Sequence, residues 1–241
     1  MSTQPFIAVY PYDALGAADY GWLKARYHFS FANYHHPERT GFGALLVIND
    51  DVVKAGAGFD MHPHRDMEII TYVRQGAISH RDNAGHEGRT AAGDVQVMSA
   101  GTGVYHSEYN HESEDTSLYQ IWIAPNQRGV APRWDARRFP KQEVSDQLPL
   151  LVSGRVEDEA KGALFIHQDA AIYGGRITAG AIVHQPIKYQ AYLLVSEGEI
   201  EVMGQRITAG DGAEIMHQPL LALRAISPAE VVMIDVPQLT R

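Results

Sequence analysis

Hydrophobic and polar positions along this chain follow a short, quickly interrupted rhythm. Ile69-Ile70-Thr71-Tyr72-Val73 is a β-branched and aromatic run that stops at Gly76, and Ala77 to Arg81 is a second run closed by Asp82-Asn83-Ala84-Gly85. Gly93-Asp94 turns the chain into Val95-Gln96-Val97-Met98, glycine recurs at Gly101 and Gly103 before His106, and Leu118 to Ile123 is strongly apolar. Upstream, Phe29-Ser30-Phe31-Ala32 and Ala44-Leu45-Leu46-Val47-Ile48 are expected strands, the second closed by the turn-forming cluster Asn49-Asp50-Asp51. One short helix is expected, from about Ala17 to Arg26, and His35-His36 before Pro37 is expected to be loop. Short runs separated by turn residues, with hardly any helix, indicate an all-β fold, an antiparallel barrel or sandwich.

The rhythm breaks once and then returns. Between Pro125 and Pro149 there are prolines, charges and little apolar periodicity, the texture of a connection between domains. Beyond it, Val195-Ser196-Glu197-Gly198-Glu199-Ile200 echoes Val73-Arg74-Gln75-Gly76-Ala77-Ile78, and Ile207-Thr208-Ala209-Gly210-Asp211 echoes Thr90-Ala91-Ala92-Gly93-Asp94. Two barrels of one design are expected, over 1–128 and 150–241, joined by 129–149. Carrying the repeat back places His184 opposite His62, Pro186 opposite His64, Gln190 opposite Glu68, and Leu223 and Ala225 opposite His106 and Glu108. The second copy would then lack the polar set of the first and act as scaffold.

Composition narrows the function classes. At 241 residues, 45% hydrophobic and 20% charged, the chain can bury a sizeable core and has the make-up of an ordinary soluble protein. A formal charge of −9 argues against direct nucleic-acid binding, because phosphate contact needs clustered cations; the basic residues from Arg133 to Arg138 are broken by Asp135. With no cysteine, disulfides and thiolate ligands or nucleophiles are excluded, so any metal must take nitrogen and oxygen donors. Met1 to Tyr20 shows no basic region followed by an apolar run, and no stretch of about 18 apolar residues occurs anywhere; no membrane partner and a cytoplasmic location are expected.

The candidate chemistry lies in His62-Pro63-His64 and His106-Ser107-Glu108. On a strand, residues two apart share a face with Cα atoms roughly 6.5 Å apart, whereas on a helix they diverge. Pro63 removes a backbone donor and pushes His62 toward an extended conformation, which favours the strand. If the two strands are neighbours, three imidazoles and a carboxylate converge as a divalent transition-metal site. Burying those groups without a cation would cost several kcal/mol, so a purely structural role is the weaker explanation. Strand parity leaves the carboxylate open, because Glu68 follows His64 by four residues and would face the same way as Glu108.

Gly56, His62-x-His64 and Glu68 have the spacing of the first cupin motif, and Gly93 through His106 to Asn110 resembles a variant of the second. The departures are that Gly76 comes one residue late, Ser99 stands where proline is usual, and four residues rather than two separate Gly101 from His106. Met61-His62-Pro63-His64-Arg65, His80-Arg81-Asp82, Met98-Ser99-Ala100-Gly101-Thr102-Gly103 and Leu118-Tyr119-Gln120-Ile121-Trp122 together resemble the pirin family. That resemblance implies a bicupin of two jelly-roll β-barrels packed together, with one metal in the N-terminal barrel. It makes His62, His64, His106 and Glu108 the ligands and leaves Glu68 as a wall or supporting residue. Iron(II) is the first metal expected, with nickel, copper, manganese or zinc as alternatives. Several bacterial members resemble quercetin 2,3-dioxygenases, which implies a monomer acting on an aromatic polyphenol and dioxygen, with Glu108 taking the proton of the flavonol hydroxyl. Phe59, Met61, Met98, Tyr105 and Trp122 are the expected pocket wall. The alternative is a metal- or redox-dependent module that binds a protein partner without turnover.

Overall fold

The computed structural model describes residues 4–239; residues 1–3 and 240–241, which belong to the expected spans 1–128 and 150–241, lie outside the described residues. β1 (Phe6–Tyr10), β2 (Gly16–Asp19) and β3 (Leu23–Tyr27) open the chain. The helix expected over Ala17–Arg26 is instead the β2–β3 hairpin, with Ala18 opposite Ala25 and Asp19 opposite Lys24. The cause is local. Gly21 sits at φ +83° with its N–H donating to the Asp19 carboxylate at 2.8 Å, and Leu23, Ala25 and Tyr27 are buried in strict alternation.

Phe29–Ala32 is likewise not a strand, because the chain folds back there through a single bridge between Phe31 and Tyr34 with Ala32 at φ +49°. β4 (Leu45–Val53) does not end at Asn49-Asp50-Asp51 but runs through it. Its polar residues are tolerated because they have use on both faces. Asp50 pairs with Arg74, while Asn49 and Asp51 line a cavity.

β5 (Gly58–His64), β6 (Glu68–Gln75), β7 (Ala77–Asp82), β8 (Glu87–Ala91), β9 (Val95–Ser99), β10 (Val104–Tyr109) and β11 (Thr116–Ile123) follow through tight turns. β12 (Arg133–Arg137) falls in the segment expected to connect the halves, yet it pairs along β9 and so is a strand of the first half's sheet. The remainder comprises β13 (Glu143–Val144), β14 (Leu150–Ser153), β15 (Leu164–Phe165), β16 (Ala171–Ile177), β17 (Ile182–Pro186) and β18 (Gln190–Glu197). β19 (Glu199–Val202), β20 (Gln205–Thr208), β21 (Gly212–Met216), β22 (Leu220–Ala225) and β23 (Ala229–Val236) complete it. No helix among the described residues is long and apolar enough to cross a membrane.

Each half is a sandwich of two separate sheets, the second of the two forms expected from the strand pattern, and the sheets are not closed into the β-barrels that the resemblance implied. In the first, the order β12-β9-β6-β11-β4-β3-β2 faces the order β5-β10-β7-β8. In the second, β1-β21-β18-β23-β16-β14-β15 faces β17-β22-β19-β20. The sheets stay open in the first half where edge strand β5 and the β2–β3 hairpin are held apart by a cavity that both line. β1 crosses to the other half, pairing with β21 from Phe6 opposite Met216 to Tyr10 opposite Gly212.

The two large sheets share one core. Ile48, Ile70, Tyr119 and Ile121 from the first pack with Tyr192, Leu194, Val232 and Ile234 from the second, all buried. The second half's interior is closed by aliphatic side chains, among them Val183, Leu221, Leu223 and Met233. This corrects the carried-over alignment. Val183 and Gln185 point inward, while His184, paired with Ala222, and Pro186 are exposed.

Candidate metal centre

β5 and β10 run antiparallel with His62 directly opposite His106 and His64 opposite Val104. His62, His64 and His106 therefore leave one face of the small sheet. Their rings stand close, with centroids 4.5 Å apart for His62 and His106, 4.8 Å for His62 and His64, and 4.9 Å for His64 and His106. One ring nitrogen of each lies within 4.8 Å of the others. Two nitrogens at about 2.1 Å from one ion are at most about 4.2 Å apart, so a small side-chain rotation closes the set on a metal.

The ring nitrogens are placed where they can bind a cation. A carbonyl can only accept, so His62 Nδ1 donates to the Asp60 carbonyl at 2.6 Å, which leaves Nε2 as the nitrogen available to a cation. His106 Nε2 is buried with no hydrogen-bond partner, an arrangement that a cation would satisfy. Burial, then the neighbouring imidazoles, pushes His64 down to about 4 and His106 down to about 3, so both are neutral at neutral pH. The chemistry and placement of these residues fit a divalent transition metal.

Glu108 is buried and lines the same cavity, but its carboxylate lies outside the three-histidine group. It accepts from Gln96 Nε2 at 2.6 Å, Gln120 Nε2 at 2.8 Å and Thr71 Oγ1 at 3.1 Å, and Gln96 is itself held by Thr90 at 2.9 Å. Glu68, expected as a wall or supporting residue, stands on β6 in the large sheet and is not among the residues that line the cavity. The chain turns between His64 and Glu68, with Asp66 at φ +46°, so the two residues belong to different sheets and strand parity does not carry across. Glu68 accepts from Ser99 Oγ at 2.7 Å, and burial raises its carboxyl to about 7.

The histidines open onto a cavity of about 760 Å³. Of the expected wall residues, Phe59 and Trp122 line it, and Trp122 meets the His64 ring edge-on at 5.0 Å. Met61 and Tyr105 do not. They alternate with His62 and His106 and are about half exposed, at 49% and 52%. Met98 packs beneath, against Ile69, Ala100 and Val104. Phe59 reaches the cavity although it is three residues from His62, because the ladder shifts register there: Phe59 pairs with Glu108 while His62 pairs with His106. Much of the wall comes from residues the sequence reading passed over, namely Trp22, Tyr27 and Phe31 with Asn49, Asp51 and Gln120. The signal available for them was the alternation Leu23-Lys24-Ala25-Arg26-Tyr27 and the density of aromatics around it. Asp51 is buried, its carboxyl is raised well above the usual range by burial and then by Asp50 and Glu108, and its Oδ1 has no partner.

Comparison with known proteins agrees with this geometry. Residues 10–123 match the family model described as Pirin, and residues 150–236 match a quercetinase C-terminal cupin domain. A pirin-like protein of Caulobacter vibrioides is 48% identical over 93% of this chain and 97% of its own. The quercetin 2,3-dioxygenase of Escherichia coli K12 is 42% identical over 92% and 95%. The crystal structure of the Escherichia coli bacterial pirin YhhW in complex with nickel(II) superposes with a TM-score of 0.90 at 39% identity, covering 97% of this chain and 100% of that one. Two cupin-type halves, a three-histidine cluster found among the described residues in the first, and kinship over nearly the whole length together place this chain in the pirin family.

Proposed function

We propose that this protein is a metal-dependent dioxygenase that opens the central ring of a flavonol such as quercetin with release of carbon monoxide. His62, His64 and His106 hold one divalent metal, and Glu108 completes the set. The observation that carries the reading is the meeting of three imidazoles, two of them held neutral by burial, with an aromatic-walled cavity of about 760 Å³. A cavity of that size suits a ligand of two or three fused and linked rings. The metal, when bound, supplies Lewis acidity toward a hydroxyl and the redox coupling that dioxygen chemistry requires.

The chain supplies the rest. Glu108 accepts the proton of the flavonol 3-hydroxyl, and the hydrogen bonds from Gln96, Gln120 and Thr71 fix the direction of its carboxylate. Trp22, Phe59 and Trp122 present ring surfaces that exclude water and hold a planar substrate. Asn49 Oδ1 and Asp51 Oδ1, buried without partners, give the cavity a polar end for the substrate's outer hydroxyl groups.

The test is to load metal-free protein with iron(II), nickel(II), copper(II) or manganese(II) and follow the loss of quercetin absorbance in air together with carbon monoxide. Iron(II) is tested first, and nickel(II) beside it because a relative binds that ion. Turnover with at least one metal is expected. A protein that binds these metals but turns over with none would fail as a dioxygenase and stand as a binding module.

A further inference from the structure

Behind His106, away from the cavity, lies a chain of side chains that the proposed reaction does not use. His106 Nδ1 faces His80 Nδ1 at 3.4 Å, His80 Nε2 faces Asp82 Oδ2 at 3.1 Å, and His86 Nδ1 lies 2.9 Å from the same oxygen. His80, Asp82 and His106 are 3%, 6% and 2% exposed, and only the far end, His86, reaches solvent. The Trp134 indole from β12 stacks on the His80 ring at 5.0 Å and 8°, which fixes its plane.

The polarity of this chain is determined at one end. Asp82 Oδ1 accepts the backbone N–H groups of Ala84 and His86, each at 3.0 Å, so the carboxylate is an acceptor throughout. His80 Nε2 must then carry a hydrogen and donate it, and in the neutral imidazole that places the lone pair on Nδ1. His106 Nδ1 in turn donates to that lone pair, and His106 Nε2, the buried nitrogen without a partner, is left unprotonated toward His62 and His64. We infer that Asp82 and His80 are positioning residues that set the tautomer of His106, so that its Nε2 is the nitrogen offered to the metal.

This rests on the reading of His106 as a ligand, and the experiment separates the two. Asp82→Asn keeps the shape and reverses the polarity. The Ala84 and His86 N–H groups continue to require an oxygen, so the amide NH2 turns to His80 Nε2. The reversal passes along the chain and puts the hydrogen on His106 Nε2. His80→Phe keeps a ring against Trp134 and only releases His106, without imposing the wrong tautomer. Nickel(II) affinity is measured by competition with a chromophoric chelator, copper(II) coordination by the nitrogen couplings in its electron paramagnetic resonance spectrum, and folding by the melting of the metal-free forms.

Asp82→Asn is expected to weaken nickel binding by about 10- to 100-fold and to remove one coordinated nitrogen, with His80→Phe losing less despite the larger lesion. A merely structural role would give the opposite order. Native affinity and an unchanged spectrum in Asp82→Asn would overturn the inference. If Asp82→Asn does not fold, His80→Phe decides alone: a weaker affinity and an altered copper spectrum at an unchanged melting temperature of the metal-free form support the inference, and native values, or a loss that comes only with a lowered melting temperature, overturn it. If His106→Ala binds nickel as well as the native protein does, the ligand assignment itself is wrong and the inference falls with it.

Discussion

Two carboxylates competed for one role, and their surroundings separate them. Glu108 lies in the cavity under three hydrogen bonds, whereas Glu68 is tied to Ser99 beyond a turn. Glu108→Gln is therefore expected to lower flavonol turnover by at least about 100-fold, while Glu68→Gln leaves metal content and turnover near native, both read from steady-state rates and elemental analysis. The three histidines were legible in the sequence because residues two apart share a strand face whatever the strand's neighbours do. The carboxylate and the wall were not, because a turn at Asp66 and a register shift before His62 each change which face a residue takes. Met61 and Tyr105 fall outside the wall by plain strand alternation with His62 and His106, Met98 packs beneath it, and Phe59 alone owes its place to the register shift.

At the scale of elements, the informative strands are those the sequence concealed. The β2–β3 hairpin brings Trp22 against Phe59 with ring centroids 5.1 Å apart and nearly perpendicular. Trp22→Ala is expected to raise KM for quercetin several-fold while leaving nickel stoichiometry unchanged, since Trp22 touches the wall and not the ligands. β12 has a different duty. Its Trp134 packs with Ile69 and Met98 and stacks on His80, so Trp134→Ala is expected to destabilise the fold by about 2–3 kcal/mol, just below the usual range for a large aromatic because the ring is only partly buried. Gly88→Ala is expected to act through the same ring, because a Cβ there would stand 2.1 Å from it. Urea denaturation at unchanged m value measures both. The hairpin read as a helix because Ala17, Ala18 and the charges around them satisfy helical propensity, and tertiary pairing overrode that preference.

In the whole molecule the repeat was the most legible feature. Gly76 and Gly198, at φ +73° and +77°, turn β6 into β7 and β18 into β19 in the same way, and that shared need for glycine made the copies visible. The crossing of β1 and the open edges of the sheets carry no such local mark. What joins the halves, beyond the shared core, is a buried polar clamp. Tyr192 OH lies 3.0 Å from both His28 Nδ1 and Arg39, and Arg39 pairs with Glu214 at 3.3 Å. Burial, then Arg39 and Arg74, lowers His28 from its usual 6.5 to about 3. Between those values the unfolded chain binds a proton that the native state does not, so this contribution to stability is present above about pH 6.5 and is lost as pH falls toward 3. Denaturant titrations of metal-free protein are expected to show that loss, and His28→Gln to make its pH dependence shallower by one proton. An unchanged slope would remove His28 from the account.

The central claim is that His62, His64 and His106 hold one ion between them. Equilibrium dialysis of the metal-free protein and its three single His→Ala variants against nickel(II) tests this most directly. One nickel per native chain, and less than about a tenth of that in each variant at the same free nickel concentration, is the expected result. Native stoichiometry surviving the loss of any one of the three histidines, or no uptake by the native protein, would contradict it.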